Sequence, residues 1–112
     1  MYNPDMSNAI SKINSFGELG DNWNGYGAPP FTKSLLNKAK KILHTLRHCP
    51  EVFPIAGGAI QFEFENDAGD YLEFEIYDTE PAHCFQVTST ESELEFDVGT
   101  EKINEVVDKF YG

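Results

Sequence analysis

The hydrophobic period of this chain changes once, near residue 59, and that change decides most of the fold. Before it, apolar residues recur at helical spacing; after it they alternate. "AIQFEFE" (59–65) sets Ile60, Phe62 and Phe64 against Gln61, Glu63 and Glu65. "YLEFEIY" (71–77) repeats the pattern with Leu72, Phe74 and Ile76 against Glu73 and Glu75. Such alternation marks strands with one buried face, and the intervening "NDAGD" reads as a hairpin connection. "HCFQVTS" reads as a weaker strand with Phe85 and Val87 facing in, which leaves Cys84, Gln86 and Thr88 outside. "ELEFDV" closes the set with Leu94, Phe96 and Val98 facing in.

Three helices frame these strands. Asn3 and Pro4 form an N-cap and first-turn proline, and Met6, Ile10 and Ile13 follow at helical spacing beside Ala9 and Phe16, up to Gly17. Thr32 caps a second helix with a stripe of Leu35, Leu36, Ala39, Ile42, Leu43 and Leu46, ended by Pro50. Its other faces carry Lys33, Lys38, Lys40, Lys41, Arg47, His44 and His48. Gly99 and Thr100 start a third, with Ile103, Val106, Val107 and Phe110 on one stripe. The expected fold is a single α+β domain over 1–112, ordered α-α-β-β-β-β-α. Its sheet is a four-stranded antiparallel meander with the helices on one face.

Charge is unevenly distributed in a chain of net charge −11. Residues 1–49 carry six Lys/Arg against three Asp/Glu, whereas residues 50–99 carry thirteen Asp/Glu and no Lys or Arg. Alternation then puts Glu63, Glu65, Glu73, Glu75, Glu93, Glu95 and Asp97 on the uncovered sheet face. Three readings stay open: a solvated face that keeps an exposed sheet from pairing, a divalent-cation site, and a docking surface for a basic protein. Direct nucleic-acid binding by this half is not expected, because phosphate contacts need Lys and Arg. A basic partner that itself handles nucleic acid would meet the carboxylates as a nucleic-acid mimic. The basic second helix is either a solvated face or a contact for the acidic face of a second copy, giving a homo-oligomer.

Between the first two helices lies "DNWNGYGAPP" (21–30), with the only tryptophan. Asn24-Gly25 signals a turn and Gly27 allows a second reversal. Pro29-Pro30 favour an extended approach to Thr32. Trp23 and Tyr26 either cover an end of the core or anchor a partner or ligand. In "NWNGYGAPP", the helix after it, "GGAIQFEF" and "YLEFEI", the chain resembles an uncharacterised group of small bacterial and phage proteins. Members share a W-[D/N]-G-Y-G-A-x-P segment and a G-G-[I/V]-x-[L/F]-E-[W/F] strand. The matching residues are Trp23, Asn24, Gly25, Tyr26, Gly27, Ala28 and Pro30, then Gly57, Gly58, Ile60, Phe62, Glu63 and Phe64, with Ala59 a departure from the pattern. The resemblance covers roughly residues 15–78 and implies a bacterial or phage origin; it carries over no activity.

Enzyme signatures are lacking. The sequence has no G-x-S-x-G, P-loop or H-E-x-x-H. His48-Cys49 and His83-Cys84 have zinc-ligand residue types without zinc-ligand spacing, and the two cysteines read as reduced thiols. No apolar run reaches the ~18 residues of a membrane span and "MYNPDM" lacks signal-peptide features, so the expected compartment is the cytoplasm. The expectation is a non-enzymatic interaction module without cofactor or metal, acting on a basic protein surface through the seven carboxylates with Trp23 and Tyr26. An inhibitor or antitoxin-like protein, such as a phage anti-defence factor, is its most concrete form. The alternative is a small-ligand or metal-binding protein with its pocket at the Trp23/Tyr26 loop.

Overall fold

The computed structural model describes residues 4–112, so the expected cap at Asn3 lies outside the described residues. Helix α1 spans Pro4–Phe16 and α2 spans Lys33–Thr45, and a 3-10 turn at Thr100–Lys102 leads into α3, Ile103–Tyr111. Thr32 caps α2 as its residue type predicts, its hydroxyl accepting from Leu35 N–H at 3.1 Å. Five strands follow α2: β1 (Glu51–Ile55), β2 (Ala59–Glu65), β3 (Tyr71–Ile76), β4 (Ala82–Val87) and β5 (Glu93–Val98). They pair in chain order, each antiparallel to the next, and all three helices contribute to the core on one side. The fold is the expected α+β meander with one strand more.

The added strand is "EVFPI". Only Val52 in it is fully buried, and Pro54 argues against a central strand. At the sheet edge a proline is tolerated, since its missing N–H faces no neighbour. The pair Ile55↔Ala59 closes β1–β2 over a three-residue turn with Gly58 at φ 84°. The β2–β3 and β4–β5 connections repeat that geometry, with Gly69 and Glu91 in the same positive-φ role.

A second correction concerns β4. Cys84, expected on the outer face, is fully buried between Phe74 of β3 and Phe96 of β5. Phe85 and Val87, expected inside, lie opposite Glu73 and Tyr71 on the open face. The turns set this parity: with Phe74 and Phe96 inward, the register allows only the even-numbered residues of β4 to face in. Phe62, Phe74 and Phe96 do share one face, as the alternation predicts. Phe62 and Phe74 are fully buried, and Phe64 meets Phe74 edge-on at 6.1 Å. Buried Ile13, Leu43, Ile103 and Val107 bring the three helices onto this layer.

Candidate interaction face

The cross-strand register arranges the open face in rows. One row runs Glu51, Glu63, Glu73, Phe85, Glu95 across all five strands, and the next Phe53, Gln61, Glu75, His83, Asp97. A third holds Glu65, Tyr71, Val87 and Glu93. All seven predicted carboxylates are therefore brought together on one face. Glu51 joins them as an eighth, missed because β1 was not recognised as a strand. Its signal was an alternation of two, Val52 and Pro54 against Glu51 and Phe53.

Neighbouring strands lie about 4.8 Å apart, so Glu51, Glu63 and Glu73 place three carboxylates abreast. Like charges so opposed destabilise a sheet. Part of that repulsion is offset by donors within the face. Tyr71 Oη donates to Glu73 at 2.7 Å and Tyr77 Oη to Glu75 at 2.6 Å, and Gln61 donates to Glu63. Burial, then the bond to Glu73, pushes the Tyr71 hydroxyl well above its ordinary pKa. The bond to Glu75, reinforced by burial, pushes Tyr77 up to about 12. Both phenols therefore remain donors at any physiological pH.

His83 is the one basic side chain in the rows. Its Nδ1 lies 3.0 Å from Asp97 and its Nε2 3.2 Å from Glu95, and hydrogen bonding to Asp97, then to Glu95, raises its pKa. Among the described residues no Lys or Arg forms an ion pair with these carboxylates. At the β1 end a hollow of about 320 Å³ opens between Glu51, Glu63, Glu65, Tyr71 and Tyr111.

The aromatic loop is built separately. Asn22 Oδ1 accepts from Gly27 N–H, and Asn24 Oδ1 accepts from the N–H groups of Tyr26 and Ala28. Asn22 N–H donates to Ala28 O at 2.7 Å, while Gly25 and Gly27 supply φ of 78° and 86°. Two asparagine side chains thus fold the segment around themselves, as they do in Asx turns. Trp23 packs against Phe31 with ring centroids 5.6 Å apart and Phe31 against Phe16 at 5.8 Å, both pairs tilted, and Trp23 Nε1 donates to Pro29 O at 2.9 Å. Tyr26 is 92% exposed. Trp23 is therefore a core cover and Tyr26 a presented side chain; the loop belongs to the helix layer and does not join the carboxylate rows.

Among the described residues no three of His, Cys, Asp or Glu converge as a metal-ligand set. Cys49 and Cys84 are both free thiols. Burial pushes the Cys84 thiol up to about 12 and also raises Cys49, so neither is an activated nucleophile. No described helix is long and apolar enough to cross a membrane. No family model, no curated protein and no solved structure matches this chain.

Proposed function

We propose that the open sheet face docks a cationic protein surface, and that the protein is a non-enzymatic interaction module. Its most concrete form is an inhibitor or antitoxin-like protein that occludes a partner's nucleic-acid-handling surface, such as a phage factor directed at a host defence nuclease. The observation that carries this reading is the Glu51–Glu63–Glu73 row. A sheet selected for stability alone is better served by opposite charges or threonine at such positions, so the row's repulsion calls for a compensating use. A cationic partner supplies it. Eight carboxylates span a sheet about 19 Å across, against roughly eleven phosphates in the same length of duplex. The charge density is of the same order.

The hollow beside Tyr71 and Tyr111 adds an anchor for one side chain. Its carboxylates and phenol rings suit a lysine or, better, an arginine, whose flat guanidinium stacks on aromatic faces. Nothing comparable favours a ligand pocket at the loop, because a tyrosine 92% exposed walls no enclosure.

The test is capture of partners on the immobilised protein and on a Glu51→Gln, Glu63→Gln, Glu73→Gln variant. The expected result is a basic, nucleic-acid-handling protein retained by the wild type, lost by the variant and displaced by duplex DNA. A partner held equally by both proteins would overturn the reading.

A further inference from the structure

The two edges of the sheet differ in a way that bears on how a partner binds. At β1, Pro54 removes an edge donor, and α1 crosses close enough for Lys12 Nζ to stand 4.5 Å from the Phe53 ring centroid. At β5 no proline intervenes. Thr88 N–H donates to Ser92 O at 2.9 Å, which fixes the hydrogen-bond phase of the β4–β5 ladder. In an antiparallel pair bonded and non-bonded positions alternate. Leu94, Phe96 and Val98 therefore direct their backbone groups to β4, while Glu93, Glu95 and Asp97 direct theirs away from the sheet. These same three residues carry their carboxylates on the open face.

The helix side of this edge holds an apolar cluster that is incompletely covered. Leu94 is 56% exposed, and with Phe96, Val106 and Phe110 it lines a groove of about 370 Å³ between β5 and α3, to which Asp70, Gln86 and Lys109 add polar walls. An added strand would set one side-chain row over that groove and the other beside Glu93, Glu95 and Asp97. The structure assigns β5 as a strand-addition site for an extended segment of the partner, in which Lys or Arg alternates with apolar residues. Such pairing draws affinity from main-chain bonds and specificity from alternate side chains. A second copy of this chain is a poor occupant, because two β5 strands would oppose acidic rows to each other. The assignment deepens the proposed function, since it rests on a cationic partner and names the element that partner uses.

Register makes the test sharp. The added strand runs antiparallel to β5, as every neighbouring pair in this sheet does. With lysines opposite Glu93, Glu95 and Asp97, the lysine residues then form the bonded pairs and the apolar residues point their backbone away. The ¹⁵N-labelled full chain is titrated with an end-blocked peptide of alternating lysine and valine. The amides of Glu93, Glu95 and Asp97 should shift and exchange more slowly with deuterium, and valine methyls should approach Leu94 and Phe96. N-methylation at the lysines should abolish binding, and N-methylation at the valines should spare it. Shifts centred on Glu51, Glu63 and Glu73 that ignore N-methylation would overturn strand addition while leaving the acidic face as docking surface. Absence of peptide binding also overturns it, and the fate of the face reading is then read from the triple glutamine variant. Slowed β5 exchange that grows with protein concentration and needs no peptide would assign the edge to a second copy instead.

Discussion

Among the described residues, Asn22 and Glu91 are the two outside glycine with positive φ, at 60° and 65°. Asn22 turns its conformation to use, since its side chain and its N–H both bind the loop it opens. Glu91 occupies the turn position that Gly58 and Gly69 fill in the sister hairpins. A left-handed residue with a Cβ costs roughly 1–2 kcal/mol, and glycine's added chain entropy returns part of that. Glu91→Gly should therefore raise stability by about 0.5 kcal/mol in urea melts. Gly27→Val runs the other way: at φ 86° it should lower stability by about 2 kcal/mol and move Trp23 emission to the red as its packing against Phe31 loosens. An unchanged melt for Gly27→Val would mean that the loop is not held in this shape.

His83 gives a pH-dependent counterpart. Its folded pKa lies above the unfolded value near 6.5 because Asp97 and then Glu95 bond the imidazolium. Its contribution is therefore full below about pH 6.5 and is lost as pH rises through the folded pKa. His83→Gln should narrow its stability deficit toward alkaline pH, and an NMR titration should place the imidazole midpoint above that of a model peptide. A midpoint at or below 6.5 would contradict the contacts. Residue identity alone did not reveal this site. Alternation puts Phe85 and Val87 inside, a parity that would carry His83 inward with them, and only the neighbouring strands fix the parity of a strand apolar on both faces.

Elements were legible in proportion to how much each buries. β2 and β3 bury every second residue and were plain in the sequence, whereas β1 buries only Val52 and was hidden behind its proline. Helix α2 was legible in its start and its apolar stripe but not in its end. The helix stops at Thr45, with Leu46 already extended and Arg47 and His48 beyond it, rather than at Pro50. Nor was the work of its polar face legible. Lys38, which read as one of several solvated lysines, donates to Tyr77 O at 2.6 Å, Asp78 O at 3.0 Å and Glu80 O at 3.3 Å. Thr32 and Ser34 both donate to the Asp78 carboxylate. The start of α2 thus clamps the β3–β4 turn, a contact some forty residues apart that no local pattern encodes. Hydrogen bonds from a charged donor are worth about 1.5–3 kcal/mol. Lys38→Met should lower stability by about 2 kcal/mol, whereas Lys41→Met, on the exposed face, should change it by less than about 0.5 kcal/mol. Equal effects would deny the clamp.

At the scale of the whole molecule, charge is polarised between the layers: the strands carry carboxylates and no Lys or Arg, whereas the helix layer mixes Lys and Arg with Asp5, Glu101, Glu105 and Asp108. The carboxylates crowd the open sheet face, and six of the eight Lys/Arg lie in residues 1–49, on and around the two N-terminal helices. Such a charge distribution steers a cationic partner toward the sheet and raises the association rate, an advantage that salt removes as screening shortens to about 8 Å at physiological strength. It also separates stability from function at Glu51, which faces Glu63 across β1 and β2. Glu51→Lys replaces a repulsive cross-strand pair with an attractive one, worth about 0.5 kcal/mol at an exposed position. The variant should melt at higher urea than the wild type. It should also associate more slowly with the captured partner, with the difference largest at low salt, since a rim charge acts mainly on the association rate. The two measurements together decide the role of the row. Higher stability with slower association makes the acidic row a binding device retained at a cost in stability. Higher stability with unchanged association would make it a solvated face, and would move the search for the contact to Tyr26.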